Sequence, residues 1–249
     1  MARAKLIWIT PEAEKIIAYC ARVSNPKNQF NEDYSGLLKY CIRHRHWSIF
    51  EMVFMCVEIT TTRMISAQIL RHKSFSFQEF SQRYAKAPAI YIPECRMQDK
   101  KNRQNSLECT DDRLAHDFNS EYHDEIIRIE DLYNKWLDKG VAKEVARGIL
   151  PMSTETKMYM VGSIRSWIHY ICVRSDKTTQ KEHRDIAESI KKILVEGVPI
   201  TSGALYNRRK ITTMKQLTTL ADDNNVEISN DLIENLLELK KEFKNVATD

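Results

Sequence analysis

The chain has 249 residues, 43% hydrophobic and 29% charged, a balance that excludes intrinsic disorder and leaves room for one large core. Its formal net charge of +4 suits an anionic small ligand but is too weak to announce nucleic acid. There is no apolar run of membrane-spanning length, no internal repeat, and no secretory pattern at Met1-Ala2-Arg3-Ala4, so a cytoplasmic protein with no membrane partner is expected.

Residues 6–9 read as a short strand, and Pro11 fits the first turn of a helix that runs to residue 20 or 21. A second helix is predicted over 33–45, and 52–60, rich in Val, Phe, Ile and Thr, reads as a strand. From 61 to 72 the apolar positions Met64, Ile65, Ile69 and Leu70 recur at helical spacing, which puts Gln68 and Arg71 on one face. The pattern then changes to alternation, so that Glu79, Ser81 and Arg83 would project together from an extended run. Another short strand is predicted over 89–92, between Pro88 and Pro93, and the polar stretch 94–112 reads as a surface insertion.

A long helix follows over 113–137, ending near Gly140, then a shorter one from 142 that stops before Pro151. Residues 156–161 look extended, while 163–173 and 178–195 look helical. Near the C-terminus Leu232, Leu236, Leu239 and Phe243 form an amphipathic stripe that suits docking on the chain's own core or a subunit contact. The sum is an α+β chain with few strands and many helices.

Some chemistries are disfavoured. The cysteines (Cys20, Cys41, Cys56, Cys95, Cys109, Cys172) form no Cys-x-x-Cys pair, so neither a zinc ribbon nor a dithiol site is indicated and reduced thiols are expected. Six glycines without a G-x-G-x-x-G argue against a Rossmann dinucleotide site. His44, His46 and His72 raise a metal site, but the two-residue spacing of the first pair argues against shared ligation, and no metal is expected.

The stretch Arg71-His72-Lys73-Ser74-Phe75-Ser76-Phe77-Gln78-Glu79-Phe80-Ser81, continuing into Gln82-Arg83-Tyr84, concentrates cations, a carboxylate and hydroxyls without a glycine. Such a run can receive a polyoxygenated anion, because guanidinium groups bind phosphate bidentately. The same residues also fit a basic helix end followed by an aromatic strand, or, with Arg43-His44-Arg45-His46-Trp47, a single-strand nucleic-acid surface. Glu79 within the motif and the small net charge argue against the last, and no nucleic-acid partner is expected.

Arg71-His72-Lys73, seven residues and Ser81 resemble the signature of the flavin-dependent thymidylate synthases, the ThyX family, with Lys73 at the third basic position. The segment His46-Trp47-Ser48-Ile49-Phe50-Glu51 is similar to that family's His-x-Ser/Thr-Pro-Phe-Glu-His, with Ile49 for proline and Met52 for the last histidine. Ala146-Arg147-Gly148-Ile149-Leu150-Pro151 resembles its Ala-Arg-x-x-Leu-Pro, and Ser163-Ile164-Arg165-Ser166 its Asn-Ala-Arg-Ser. Arg174, Gln180 and Glu182 complete the likeness, which spans about residues 20–190 in the family's order.

The resemblance implies one domain over residues 1–249, with a small, largely antiparallel sheet, the 94–112 insertion and a helical extension near 205–249. It also implies a homotetramer with shared active sites. The implied reaction is reductive methylation of dUMP to dTMP, with FAD as hydride carrier, methylenetetrahydrofolate as one-carbon donor and NADPH as reductant. Here no cysteine follows a proline and none precedes a histidine, so the thiolate route to thymidylate lacks its nucleophile.

By the same resemblance Gln68, Arg71, Glu79, Ser81, Arg83, Arg147 and Arg174 match the dUMP positions, and Arg174 is the catalytic cation that polarises the uracil ring. Ser48, Arg71, His72, Lys73, Glu79, Ser163, Arg165 and His169 match the FAD positions, with His46 beside them. Ser81 is read as a positioning hydroxyl, or less readily as a nucleophile, since no base for it is identifiable. Lys73 keeps the charge without the planar fork of arginine, and Ser163 and His169 replace amides with hydroxyl and imidazole. On one continuous helix Arg165 and His169 share a face, whereas Arg174 lies about 180° round, so one helix can address two sites.

Overall fold

In chain order the strands are β1 (Arg3–Ile9), β2 (Phe54–Thr62), β3 (Ser76–Glu79), β4 (Arg96–Gln98), β5 (Ser106–Glu108) and β6 (Glu155–Ser163). The helices are α1 (Ala13–Ala21), α2 (Ser35–Arg43), α3 (Arg63–Ile69), α4 (Asp112–Asp138), α5 (Lys143–Ala146), α6 (Ile164–Arg174) and α7 (Lys181–Gly197). This is a computed structural model, and it describes residues 3–206. The architecture is α+β: a four-stranded antiparallel sheet in the order β1-β2-β6-β3, helices, and a separate β4–β5 hairpin.

Period-two burial explains how the sheet meets the helices. Met55, Val57 and Ile59 of β2 are fully buried, and their β6 partners are Gly162, Met160 and Met158. Between them lie polar or half-buried positions such as Glu58, whose carboxylate pairs with Lys157 at 3.6 Å. The apolar face joins Ile17, Leu38, Phe50, Trp167, Ile168, Ile171, Ile186, Ile190 and Leu194 in one core. Each such side chain stabilises the fold by roughly 1.5–3 kcal/mol on burial. The indole of Trp167 donates to the carbonyl of Met55 at 3.0 Å, which satisfies its one polar atom inside that core.

Several sequence expectations need correction. Pro11 lies in a turn before α1 rather than in its first turn, because Glu12 (φ 49°) takes the left-handed region and the helix starts at Ala13. Instead of a strand over 89–92 there is one bridge, Ile90 to Thr154, flanked by two backbone hydrogen bonds. The insertion at 94–112 carries the β4–β5 hairpin, tied by the Asp99 carboxylate to Lys101 N, Asn102 N and Asn105 Nδ2. Helix α4 starts on the side chain of Asp111, which accepts from Leu114 N, and Gly140 (φ 83°) ends it as expected. The stripe of Leu232, Leu236, Leu239 and Phe243 lies outside the described residues.

Candidate active site

The signature begins on α3 but leaves it early. The helix ends at Ile69, so Arg71 is exposed on the following turn rather than sharing a helix face with Gln68. That turn delivers the chain to β3, an edge strand paired with β6 from Ser76–Val161 to Glu79–Met158. Phe75 packs against Trp167 with ring centroids 4.7 Å apart, anchoring the turn to α6.

Where the turn meets the end of α6, Arg174 Nε donates to His72 Nε2 at 2.9 Å. That imidazole is an acceptor and therefore neutral. Burial first, then the charges of Arg174, His169 and Arg71, lower its pKa from 6.5 to about 4. Behind His72, at 4.9 Å between centroids, stands the fully buried Tyr170, whose hydroxyl meets His183 Nε2 at 3.1 Å. His183 Nδ1 in turn meets Gln68 Oε1 at 3.2 Å, and Gln68 Nε2 donates to Gln180 Oε1 at 2.7 Å. The arrangement holds a fixed cation beside neutral hydrogen-bonding groups.

Glu79 points back toward the sheet. Its Oε1 accepts from Arg63 Nη1 at 2.8 Å and Thr156 Oγ1 at 2.9 Å, and its side chain is 16% exposed. The extended run that would have aligned Glu79, Ser81 and Arg83 stops short. Phe80 N still bonds Lys157 O, but Tyr84 N and Ala85 N then bond Ser81 O, and the Ser81 hydroxyl accepts from Arg83 N at 3.3 Å. A serine in this role favours a turn over a strand. Arg83 is thereby carried out to an exposed pair with Glu144, 3.2 Å away, while Arg147 sits half-buried in a 3₁₀ turn after α5.

The other end of α6 forms a second group. Arg165 Nη1 reaches Glu51 Oε1 at 2.6 Å, in the 3₁₀ turn that also carries the exposed Ser48. His169 is exposed one helical turn on. Arg165 and Arg174 thus engage different segments, as their spacing implied. Ser163 behaves otherwise: 7% exposed, it caps α6 by accepting from Ser166 N, so its hydroxyl is turned to its own helix. Lys73 is exposed. His46 lies with His44 against Tyr40, 6.1 Å between the imidazoles, because Arg45 (φ 59°) turns the chain between them. Neither joins His72, and among the described residues no group of three or more His, Cys, Asp or Glu side chains is arranged to hold a metal.

Sequence reading missed Tyr170 and His183. The available signal was His183 itself, three residues before Ile186 on the apolar stripe Ile186, Ile190, Leu194 of α7, where packing alone asks for no imidazole. It also missed Arg63 and Thr156 as partners of Glu79. The insertion borders a cleft of about 660 Å³ between the hairpin and the start of α7, lined by Arg96, Arg103, Gln180 and Lys181 among others. This cleft adjoins Gln180 rather than enclosing Arg174. One wall is pinned by the half-buried pair of Arg96 and Glu182, 2.5 Å apart.

The donors around the two ends of α6 fit a flavin nucleotide. Exposed Arg71, Lys73, Ser48 and His169, with Arg165 near, offer cations and hydrogen-bond donors to phosphate and ring edges without a glycine-rich loop. Among the described residues no helix is long and apolar enough to cross a membrane, and no cysteine is joined in a disulfide.

The model of the family described as thymidylate synthase complementing protein matches residues 5–200. The flavin-dependent thymidylate synthase of Synechocystis sp. is 55% identical over 192 residues, covering 77% of this chain and 89% of its own. A probable flavin-dependent thymidylate synthase of Paramecium bursaria Chlorella virus 1 is 52% identical over 211 residues, 81% of this chain and 98% of its own. The crystal structure of the UMP/dUMP methylase PolB from Streptomyces cacaoi shares the fold, with a TM-score of 0.74 at 24% identity over 83% of this chain and 95% of that one. With the match running through the signature, the α6 segments and Arg174, the chain belongs to the flavin-dependent thymidylate synthase family.

Proposed function

We propose that the protein converts dUMP to dTMP by reductive methylation, with bound FAD, methylenetetrahydrofolate as one-carbon donor and NADPH as reductant. The observation that carries this reading is the Arg174–His72 pair, a cation fixed beside a neutral imidazole where the signature meets α6. The flavin, when bound, supplies the hydride chemistry that these side chains lack.

The chain's own residues bind and polarise. Arg174 stabilises negative charge developing on the pyrimidine, which makes C5 nucleophilic without a thiolate. Gln68, Arg71, Ser81, Arg83 and Arg147 hold the nucleotide, and Glu79, locked through Oε1 by Arg63 and Thr156, presents the rest of its carboxylate. Ser48, Arg71, His72, Lys73, Glu79, Arg165 and His169 hold the flavin, while Ser163 contributes by setting the start of α6. Arg83 and Arg147 stand on different elements from Arg174, and a homotetramer with shared sites explains how one set of residues serves two ligands. A single domain over 1–249 and a cytoplasmic location belong to the same proposal.

The test is an absorbance spectrum of the purified chain with added FAD, then anaerobic NADPH with and without dUMP. The expected outcome is a flavin band that NADPH bleaches and dUMP alters, followed by dTMP formation once methylenetetrahydrofolate is added. Absence of flavin binding at saturating FAD sinks the proposal.

A further inference from the structure

We infer that Tyr170 and His183 are positioning residues that fix the orientation of the Gln68 amide, and through it the affinity for the nucleotide. The inference rests on the reading of Gln68 as a nucleotide-binding residue and adds two groups that act on it from behind.

The hydrogen bonds run in one direction. Gln68 Nε2 donates to Gln180 Oε1 at 2.7 Å, which leaves Gln68 Oε1 as the acceptor facing His183 Nδ1 at 3.2 Å. His183 therefore carries its proton on Nδ1, and its bare Nε2 accepts from the Tyr170 hydroxyl at 3.1 Å. Only a neutral imidazole can donate and accept at once. His183 is fully buried, and burial, Arg174 and His72 all lower its pKa, to about 3.

With the Gln180 amide held by Nε2 contacts to Glu182 and to Met64 Sδ at 3.9 Å, reversing the Gln68 amide would break its bond to Gln180 and invert the others. Gln68 Oε1 would face Gln180 Oε1, and His183 would have to donate from Nε2 toward Tyr170. The hydroxyl proton of Tyr170, on a side chain with no exposed surface, would then lose its acceptor. The relay so selects one orientation of Gln68, with one Nε2 proton committed to Gln180 and the other left for a ligand. Neither polar group is required by packing alone: an apolar residue at 183 would continue the stripe of α7, and phenylalanine would fill the place of Tyr170.

The test is a mutant cycle on the full-length holoenzyme. Tyr170→Phe and His183→Leu are each expected to raise the KM for dUMP about five- to twentyfold, more than kcat falls, with flavin content retained. In a Gln68→Ala background the same substitutions should add less than about twofold, because the group they orient is gone. Equal losses in both backgrounds, or an unchanged KM, overturn the inference. Should His183→Leu fail to fold, the near-isosteric Tyr170→Phe runs the same cycle. Wild-type enzyme that makes no dTMP fails the underlying reading, whereas active wild type with additive variants fails this inference alone.

Discussion

Arg174 and His72, separated by 102 residues in the chain, meet at 2.9 Å with the guanidinium as donor and the imidazole as acceptor. The bond joins the C-terminal end of α6 to the turn after α3. It also fixes the protonation of His72, since a protonated ring would face Arg174 with no lone pair to offer.

Removing the guanidinium should therefore separate catalysis from cofactor binding. Arg174→Ala is expected to lower dTMP formation by at least about 100-fold while flavin content falls far less, as for loss of a group that stabilises developing charge. Arg174→Lys should restore little, because an ammonium does not reproduce the planar guanidinium fork. Retained wild-type turnover in Arg174→Ala would refute its role.

Acid should destabilise the fold through two imidazoles. The folded pKa values of His72 and His183 lie below 6.5, at about 4 and about 3, so between those values and 6.5 the unfolded chain binds more protons. Their contribution is complete above pH about 6.5 and is lost as pH falls through that window. Urea unfolding at about pH 7.5 and about pH 5 should show the drop, and His183→Leu should shrink it. An equal drop in the variant would assign the effect to other groups.

Gly162 has no room for a side chain. A Cβ there would stand 2.5 Å from Cδ1 of Phe75, whose ring is already packed on Trp167. Gly162→Ala should cost about 1–3 kcal/mol and shift the signature turn, raising KM for dUMP along with the loss of stability. Calorimetry showing an unchanged melting temperature would contradict this packing.

The pair of Arg63 and Glu79 invites a different substitution. Arg63→Met should destabilise the chain by about 1–3 kcal/mol, because it leaves a mostly buried carboxylate with Thr156 as its remaining bonded partner. Thr156→Val, which keeps the ion pair, should cost about 1 kcal/mol. If the two variants melt alike, the ion pair contributes no more than the hydroxyl.

Much of this was readable from residue order. Hydrophobic period placed β2, β6, α6 and α7 within a few residues, since burial on one face imposes spacings of 2 or 3.6 wherever an element packs, whereas the helix read from 142 to before Pro151 is only the four residues of α5 followed by a 3₁₀ turn. Local chemistry also gave the end of α4 at Gly140. The same reasoning failed at Ser81, where a hydroxyl bonding the Arg83 amide converts an alternating run into a turn, and at Pro11, where a left-handed Glu12 delays the helix.

Composition and near-neighbour spacing were enough for the kind of chain, most of the main-sheet strands and long helices, and the motif order that resembles a thymidylate synthase family, but not for the β4–β5 hairpin or the lone bridge at Ile90. Tertiary structure alone decided which polar groups meet: Arg174 with His72, His183 with Gln68 and Tyr170, Glu79 with Arg63 and Thr156. Most of these partners lie 77 to 115 residues apart, and no local periodicity encodes which α7 residue arrives behind α3. That pairing follows from how the helices pack against the sheet, where leaving a buried polar atom without a partner is costly.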